Sequence, residues 1–289
     1  MGDASFQLFF ELLFLCYILS KKVPNPKEEK AMRYSLAVFS LLLMLLFCTA
    51  SYSLDPKGLV GIWLCDDKGD TLADSSGNKN DGKINGAFKF DKGKFDGCVV
   101  APGSGSIDVA TSDTINSIGD AVTIAGWFRV DTDSDTGIRR NNAYLLEDQS
   151  SSEPVPDGWS FRIWTTNGLC PGAYSTTKVK KGEWTHIAGT YDGKLLKMYI
   201  NGVEEKELKT DANANFNGEW AGKIGTPGDI LQLKYSAETY TGAMDEIVLF
   251  SRALSADEIK QLLKGWKGAL AVESKDKLAV TWGSIKSVR

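Results

Sequence analysis

From Leu54 onward the chain alternates apolar and polar residues with a period of two. In VTIAGWFRV, residues 122–130, Val122, Ile124, Phe128 and Val130 fall on one face, with Thr123, Ala125, Trp127 and Arg129 on the other. That pattern is a strand with one side on a core. EWTHIAGTY leads into Asp192-Gly193, KLLKMYI leads into Asn201-Gly202, and VEEKELKT follows. Both dipeptides suit two-residue type I′ turns, whose positive φ angles Asn, Asp and Gly tolerate. Residues 183–210 therefore read as a three-strand antiparallel meander. Further strands are expected at 61–65, 106–109, 159–164, 223–225 and 243–250.

One helix is predicted, in SADEIKQLLKGW. Ser255 is placed as N-cap with Glu258 three residues on, a capping box. Ile259, Leu262, Leu263 and Trp266 follow at helical spacing, and Gly265 can close the helix. Many short strands, turn signals and one helix predict an all-β sandwich or jelly roll. With no internal repeat or low-complexity linker, one domain is expected over about 54–268, followed by a tail, 269–289, that the pattern does not place.

The first 53 residues differ in kind. MRYSLAVFSLLLMLLFCTASYS, residues 32–53, has the form of a secretory signal peptide: Arg33, an apolar run from Leu36 to Phe47, then small residues at Ala50, Ser51 and Ser53. Phe47 stands before Cys48 where a lipoprotein signal needs a small residue. Upstream, FQLFFELLFLCYIL at 6–19 is shorter than the roughly 20 residues that span a bilayer. Two readings stay open: residues 1–31 precede a start at Met32, or the two apolar runs form a hairpin anchor, the one route to a membrane. Export would leave Cys65, Cys98 and Cys170, meaning one bridge and one thiol, or three buried thiols. Cys65–Cys98 is the expected pair, because both lie at ends of strand-like runs. Composition, 43% hydrophobic and 24% charged, is ordinarily globular, and a net charge of -4 argues against a nucleic-acid partner.

Five stretches in order carry a resemblance. GLVGIWLCDDKGDTLADSSGNKNDG, FDGCVVAPGSGSIDVA, VTIAGWFRVD, EWTHIAGTYDGKLLKMYINGV and GAMDEIVLFSRALSADEIKQLL resemble the laminin G-like jelly-roll domains. These belong to the concanavalin A-like lectin/glucanase superfamily, which includes the pentraxins. The resemblance spans nearly all of residues 58–264 and implies a two-sheet antiparallel jelly roll, an extracellular setting, and binding rather than catalysis. The sequence departs from that pattern at Cys65, where an aromatic is common, and in an insert from Asp131 to Asn142.

Candidate chemistry is sparse. LADSSGNKNDG, residues 72–82, is rich in hard oxygen ligands, but Lys79 stands where an EF-hand needs its turn glycine. By the resemblance, the loop after the first strand and the acid opening the last one lie close, so Asp74, Asn80 and Asp245 are the expected ligands of a structural Ca2+ ion. DTDSDTG, 131–137, lacks both the glycine and the bidentate glutamate and reads as a solvated loop. His186, the single histidine, lies on a strand face with Trp184, Ala188 and Thr190 and reads as a packed residue. Asp245 and Glu246 are expected on opposite faces of their strand, unable to act as a catalytic pair. Trp159, Trp164, Tyr174, Trp220 and Tyr240 are the candidate sugar platforms, while Trp63 and Trp127 are expected in the core. The resulting expectation is a secreted or cell-surface, non-catalytic module of lectin or adhesion type, recognising glycan or extracellular protein. A scaffold protein without sugar binding is the rival, and a carbohydrate-active enzyme the third reading.

Overall fold

Two antiparallel sheets, packed face to face, account for the alternation. The computed structural model describes residues 54–132, 137–149, 157–166, 170–205, 223–224, 230–234 and 241–270. The signal-like segment, the residues before it, Trp220, Tyr240 and nearly all of the tail lie outside the described residues. Everything described falls within one compact unit, 53–289.

The strands run β1 (Leu59–Trp63), β2 (Thr71–Leu72), β3 (Gly82–Asn85), β4 (Lys89–Lys92), β5 (Gly97–Pro102) and β6 (Ser106–Val109). After helix α1 (Asp113–Asn116) come β7 (Val122–Val130), β8 (Gly137–Arg140), β9 (Tyr144–Gln149), β10 (Gly158–Ile163) and β11 (Gly172–Tyr174). The meander β12 (Trp184–Tyr191), β13 (Leu196–Ile200) and β14 (Val203–Glu204) precedes β15 (Leu231–Lys234), β16 (Thr241–Phe250), α2 (Ala256–Leu262) and α3 (Trp266–Ala269). The first sheet has the order β14-β13-β12-β7-β16-β5-β4, and β1 also pairs with β16. The second has the order β11-β10-β9-β8-β15-β6-β3-β2. This is the jelly-roll architecture.

Strand parity builds the core. Val122, Ile124, Phe128 and Val130 point between the sheets and meet Trp159, Phe161, Ile163, Leu146 and Ile138 from the second sheet. Burying each such side chain contributes about 1.5–3 kcal/mol. Gly189 faces the second sheet with no room for a side chain, since a Cβ there would lie 2.3 Å from the Phe161 ring. A smaller apolar cluster covers the opposite face of the first sheet: Ala125, Ala188, Tyr199, Val248 and Phe250 with Ile259, Leu262 and Trp266. The capping box forms as expected, with the Ser255 side chain accepting from Glu258 N–H. Gly265, at φ 73, then breaks the predicted helix, so Trp266 belongs to α3.

Two local expectations are corrected by side-chain chemistry. Asn201-Gly202 makes the two-residue turn, with Ile200 opposite Val203 and both φ angles positive. Asp192-Gly193 does not, because Tyr191 pairs with Leu196. Asp192 Oδ1 accepts the N–H groups of Lys194 (2.9 Å) and Leu195 (2.8 Å), which opens the turn to four residues. In β16 a bulge lies between Asp245 and Val248, with Glu246 at φ 53. Met244 and Ile247 both face the sandwich core, and Val248 faces the helices. The extra residue cancels one alternation. Glu246 Oε2 accepts Trp266 N–H at 2.6 Å, so its carboxylate lies on the helix side, as does that of Asp245. They are not on opposite faces.

Candidate functional site

The outward side of the second sheet carries a cross-strand arrangement of polar side chains. Phe161, Leu146, Ile138, Leu231 and Ile107 turn into the core, so their strand neighbours turn outward. Pairing lines these neighbours up across the strands: Arg162 opposite Leu145, Leu145 opposite Arg139, Arg139 opposite Gln232, Gln232 opposite Asp108, and Asp108 opposite Lys83. A second row holds Tyr174, Ser160 and Glu147.

Hydrogen bonds fix these side chains in place. Arg162 Nη2 donates to Glu147 Oε1 at 3.0 Å, and Ser160 Oγ donates to the same oxygen at 3.2 Å. Arg139 Nε donates to Gln232 Oε1 (3.0 Å), whose Nε2 donates to Asp108 Oδ1 (3.1 Å). Asn85 Nδ2 and Ser106 Oγ both donate to Asp108 Oδ2, at 2.8 and 2.9 Å. Planar amide, carboxylate and guanidinium groups held in one surface suit hydrogen bonding to hydroxyl-rich ligands. They do not suit glycoside hydrolysis. Glu147 on β9 and Asp108 on β6 are separated by β8 and β15, or roughly 14 Å at the usual strand spacing. A catalytic carboxylate pair needs about 5–9.5 Å.

The predicted aromatics divide. Tyr174 takes its place in this surface, buried, with the Arg162 guanidinium 5.6 Å from its ring centroid. Trp164 is half-buried just after β10, its backbone N–H donating to Ala143 C=O at 2.9 Å. Trp159 is no platform: it shares parity with Phe161 and Ile163, and it packs in the core 5.7 Å from the Phe128 ring. Trp220 and Tyr240 lie outside the described residues. Sequence reasoning missed Arg139, Arg162, Glu147, Gln232 and Asp108; the polar steps in GIRR, GWSFRI and SIDV were the available signal.

The Asp74 loop is stitched to its surroundings. Asp74 Oδ1 accepts Ile62 N–H (3.0 Å) and Ser76 N–H (2.9 Å), while Oδ2 accepts Ser76 O–H (2.8 Å) and Asn80 N–H (2.9 Å). Asn80 is buried, donates to Val60 C=O (2.7 Å) and Thr114 Oγ1 (3.0 Å), and accepts from Ser112 Oγ (2.7 Å). Asn78 Nδ2 reaches the carbonyls of Leu59 and Val60. The loop thus fastens β1 to β3 and α1. Asp74 and Asn80 do meet, but Asp245 has other partners: its Oδ2 accepts Phe95 N–H at 2.9 Å. With all four lone-pair directions of Asp74 occupied, this trio does not fit the expected Ca2+ shell. Among the described residues no group of three His, Cys, Asp or Glu side chains is placed to hold a metal ion.

Asp245 belongs instead to a row on the helix side of the first sheet. It pairs with Trp127, which pairs with His186. Trp127 is therefore buried outside the sandwich core rather than in it, under Phe95 (6.1 Å between centroids) and the Lys94 ammonium (4.4 Å). The His186 ring meets Trp127 edge-on at 5.3 Å. Burial pushes His186 down to about 3 and Asp245 up to about 7. Fully buried and set edge-on against the indole, His186 fits a packing role. Cys65 and Cys98, the expected pair, are both buried and stand as separate thiols in this structure.

A family model described as the concanavalin A-like lectin/glucanases superfamily matches residues 102–260. Pappalysin-1 of Mus musculus is 30% identical across 29% of this chain and 6% of its own length. Among solved structures, the binding domain of Paraclostridial Mosquitocidal Protein 1 superposes with TM-score 0.57 and 16% identity, covering 72% of this chain and 52% of that one. Domain 4 of AbnA, a GH43 extracellular arabinanase from Geobacillus stearothermophilus solved with arabinotriose, gives 0.56 and 18%, covering 71% and 98%. A structure of botulinum neurotoxin type C, whose cell entry depends on interaction with two ganglioside molecules, gives 0.53 and 14%, covering 72% and 51%. At such identities the structures share the fold alone. The chain spans about half of each toxin chain and a small part of pappalysin-1.

Proposed function

The chain belongs to the concanavalin A-like lectin/glucanases superfamily, and from that premise we propose that it is a non-catalytic glycan-binding module acting outside the cell. The ligand lies across the outward side of the second sheet. One observation carries this reading: Arg139, Gln232 and Asp108 line up on adjacent strands and are joined by their own hydrogen bonds, with Arg162, held by Glu147, beyond Leu145 in the same row. Preformed donors and acceptors lower the ordering cost of binding. The kind of ligand is supported by neighbours of the same fold, one solved with arabinotriose and one from a toxin whose cell entry depends on gangliosides. An extracellular site of action is supported by the signal-peptide form of residues 32–53.

A glycan array probed with the full chain tests the reading. Binding to a defined glycan class is expected, and Arg162→Ala or Asp108→Ala should weaken it about tenfold or more, as loss of a charged hydrogen bond does. An array without retained glycan, or affinity unchanged in both variants, overturns it.

A further inference from the structure

On one side of β16, two strands share a single lane. β5 pairs with Thr241–Met244 and β1 with Ile247–Phe250, both antiparallel to it, so the end of β1 abuts the start of β5 beside the bulge. Cys65 follows β1 at φ 59, turning the chain out of the lane, and Cys98 is the second residue of β5. We propose that these two cysteines close a disulfide that staples the broken lane, formed while the chain folds.

Contacts on both sides of Cys98 support this. Gly97 N–H donates to Asp66 Oδ1 at 2.8 Å, and a Cβ on Gly97 would lie 3.1 Å from Cys65 O. On its other side, the Val99 amide lies against the Cys65 sulfur. Residue 98 is thus bracketed by neighbours that touch residues 65 and 66. The bonds each thiol donates are long, Cys65 to Trp63 O and Cys98 to Lys92 O, both 3.5 Å, beside the backbone of Val99 and Asp91 respectively. Little is lost when either sulfur turns.

Timing follows from burial. Both side chains are fully buried, and burial beside Asp245 holds both thiols above their ordinary range. Thiolate is the attacking species, so the folded, reduced protein reacts slowly. In the unfolded chain both thiols are ordinary. A small disulfide such as oxidised glutathione is attacked by one cysteine thiolate, releasing one glutathione thiol and leaving a mixed disulfide. The second cysteine displaces the second glutathione thiol. Overall two cysteine thiols lose two protons and two electrons, and the oxidised glutathione is reduced to two thiols.

The full chain, refolded with reduced and oxidised glutathione, is alkylated, digested without reductant and mapped by mass spectrometry. A linked pair of peptides carrying Cys65 and Cys98 is expected, absent when folding is completed in reductant before the oxidant is added. The bridged protein should melt higher than the reduced one by roughly 5–15 °C. Cys65→Ser and Cys98→Ser should each remove the link, and the bridged-versus-reduced comparison in wild type needs neither variant to fold. Separate alkylation of both cysteines after oxidative refolding, or a link from either one to Cys170, overturns the proposal. The test is independent of glycan binding.

Discussion

Asp245 accepts the backbone N–H of Phe95 at 2.9 Å, tying the tip of the β4–β5 hairpin to the last strand. The tip leaves no spare room: a Cβ on Gly93 would sit 2.0 Å from Gly97 O and 2.6 Å from Asp245 Oδ2. Beyond the tip, Asp96 pairs with Lys267 at 2.8 Å, and Phe95 fills the space a side chain at Gly265 would take. The Asp245 carboxylate thereby joins the bulge to the hairpin, and the hairpin tip in turn meets α3 through Asp96 and Phe95.

That carboxylate should leave a pH signature. Burial raises Asp245 from 3.8 to about 7, so the folded state holds its proton more tightly than the unfolded chain. Its favourable contribution is complete below pH 3.8 and is lost as pH rises to about 7. Asp245→Asn keeps an acceptor for Phe95 N–H and removes the titration. Urea unfolding should show the variant gaining on wild type as pH rises through that window. A constant difference across it would mean that Asp245 is not held protonated.

His186 acts with the opposite sign. Burial lowers it from 6.5 to about 3, so the unfolded chain takes up a proton that the folded one refuses. Its contribution is present above pH 6.5 and is lost as pH falls toward 3. His186→Gln should flatten this acid-side loss while leaving glycan binding within about threefold, at a cost of about 1 kcal/mol from poorer packing against Trp127. Loss of ligand binding in the stably folded variant would give His186 a functional role instead.

Much of the fold was legible because its signals are local. β7, the β12–β13 region and the Ser255–Glu258 box each declare themselves within a dozen residues. The binding face was not, because it depends on pairings such as Gln232 with Asp108, set by strands far apart in the chain. Single residues also overrode sound local rules. Asp192 widened a turn with its own carboxylate, and Glu246 entered a bulge that nothing in MDEIV announces. Trp159 was misjudged from its position beside a loop, although alternation with Phe161 and Ile163 already placed it inside.

The Asp74 loop supplies the last test. Its carboxylate holds four donors, of which Ile62 N–H belongs to β1 and Asn80 N–H leads a buried side chain back to Val60 and Thr114. Removing the carboxylate leaves these part-buried donors short of a partner, and an orphaned donor costs up to about 1–3 kcal/mol. Asp74→Ala should therefore destabilise the domain on the order of 3 kcal/mol, allowing for partial relaxation. Asp74→Asn should cost less, since one acceptor oxygen remains. If hydrogen bonding is the whole role of Asp74, these losses are the same in EDTA and in millimolar calcium, and the wild-type melting curve does not separate the two conditions. A metal-dependent loop behaves otherwise: calcium added to stripped wild type raises the midpoint, and Asp74→Ala abolishes the response. Thermal unfolding of wild type and both variants, each in EDTA and in calcium, decides between the two roles.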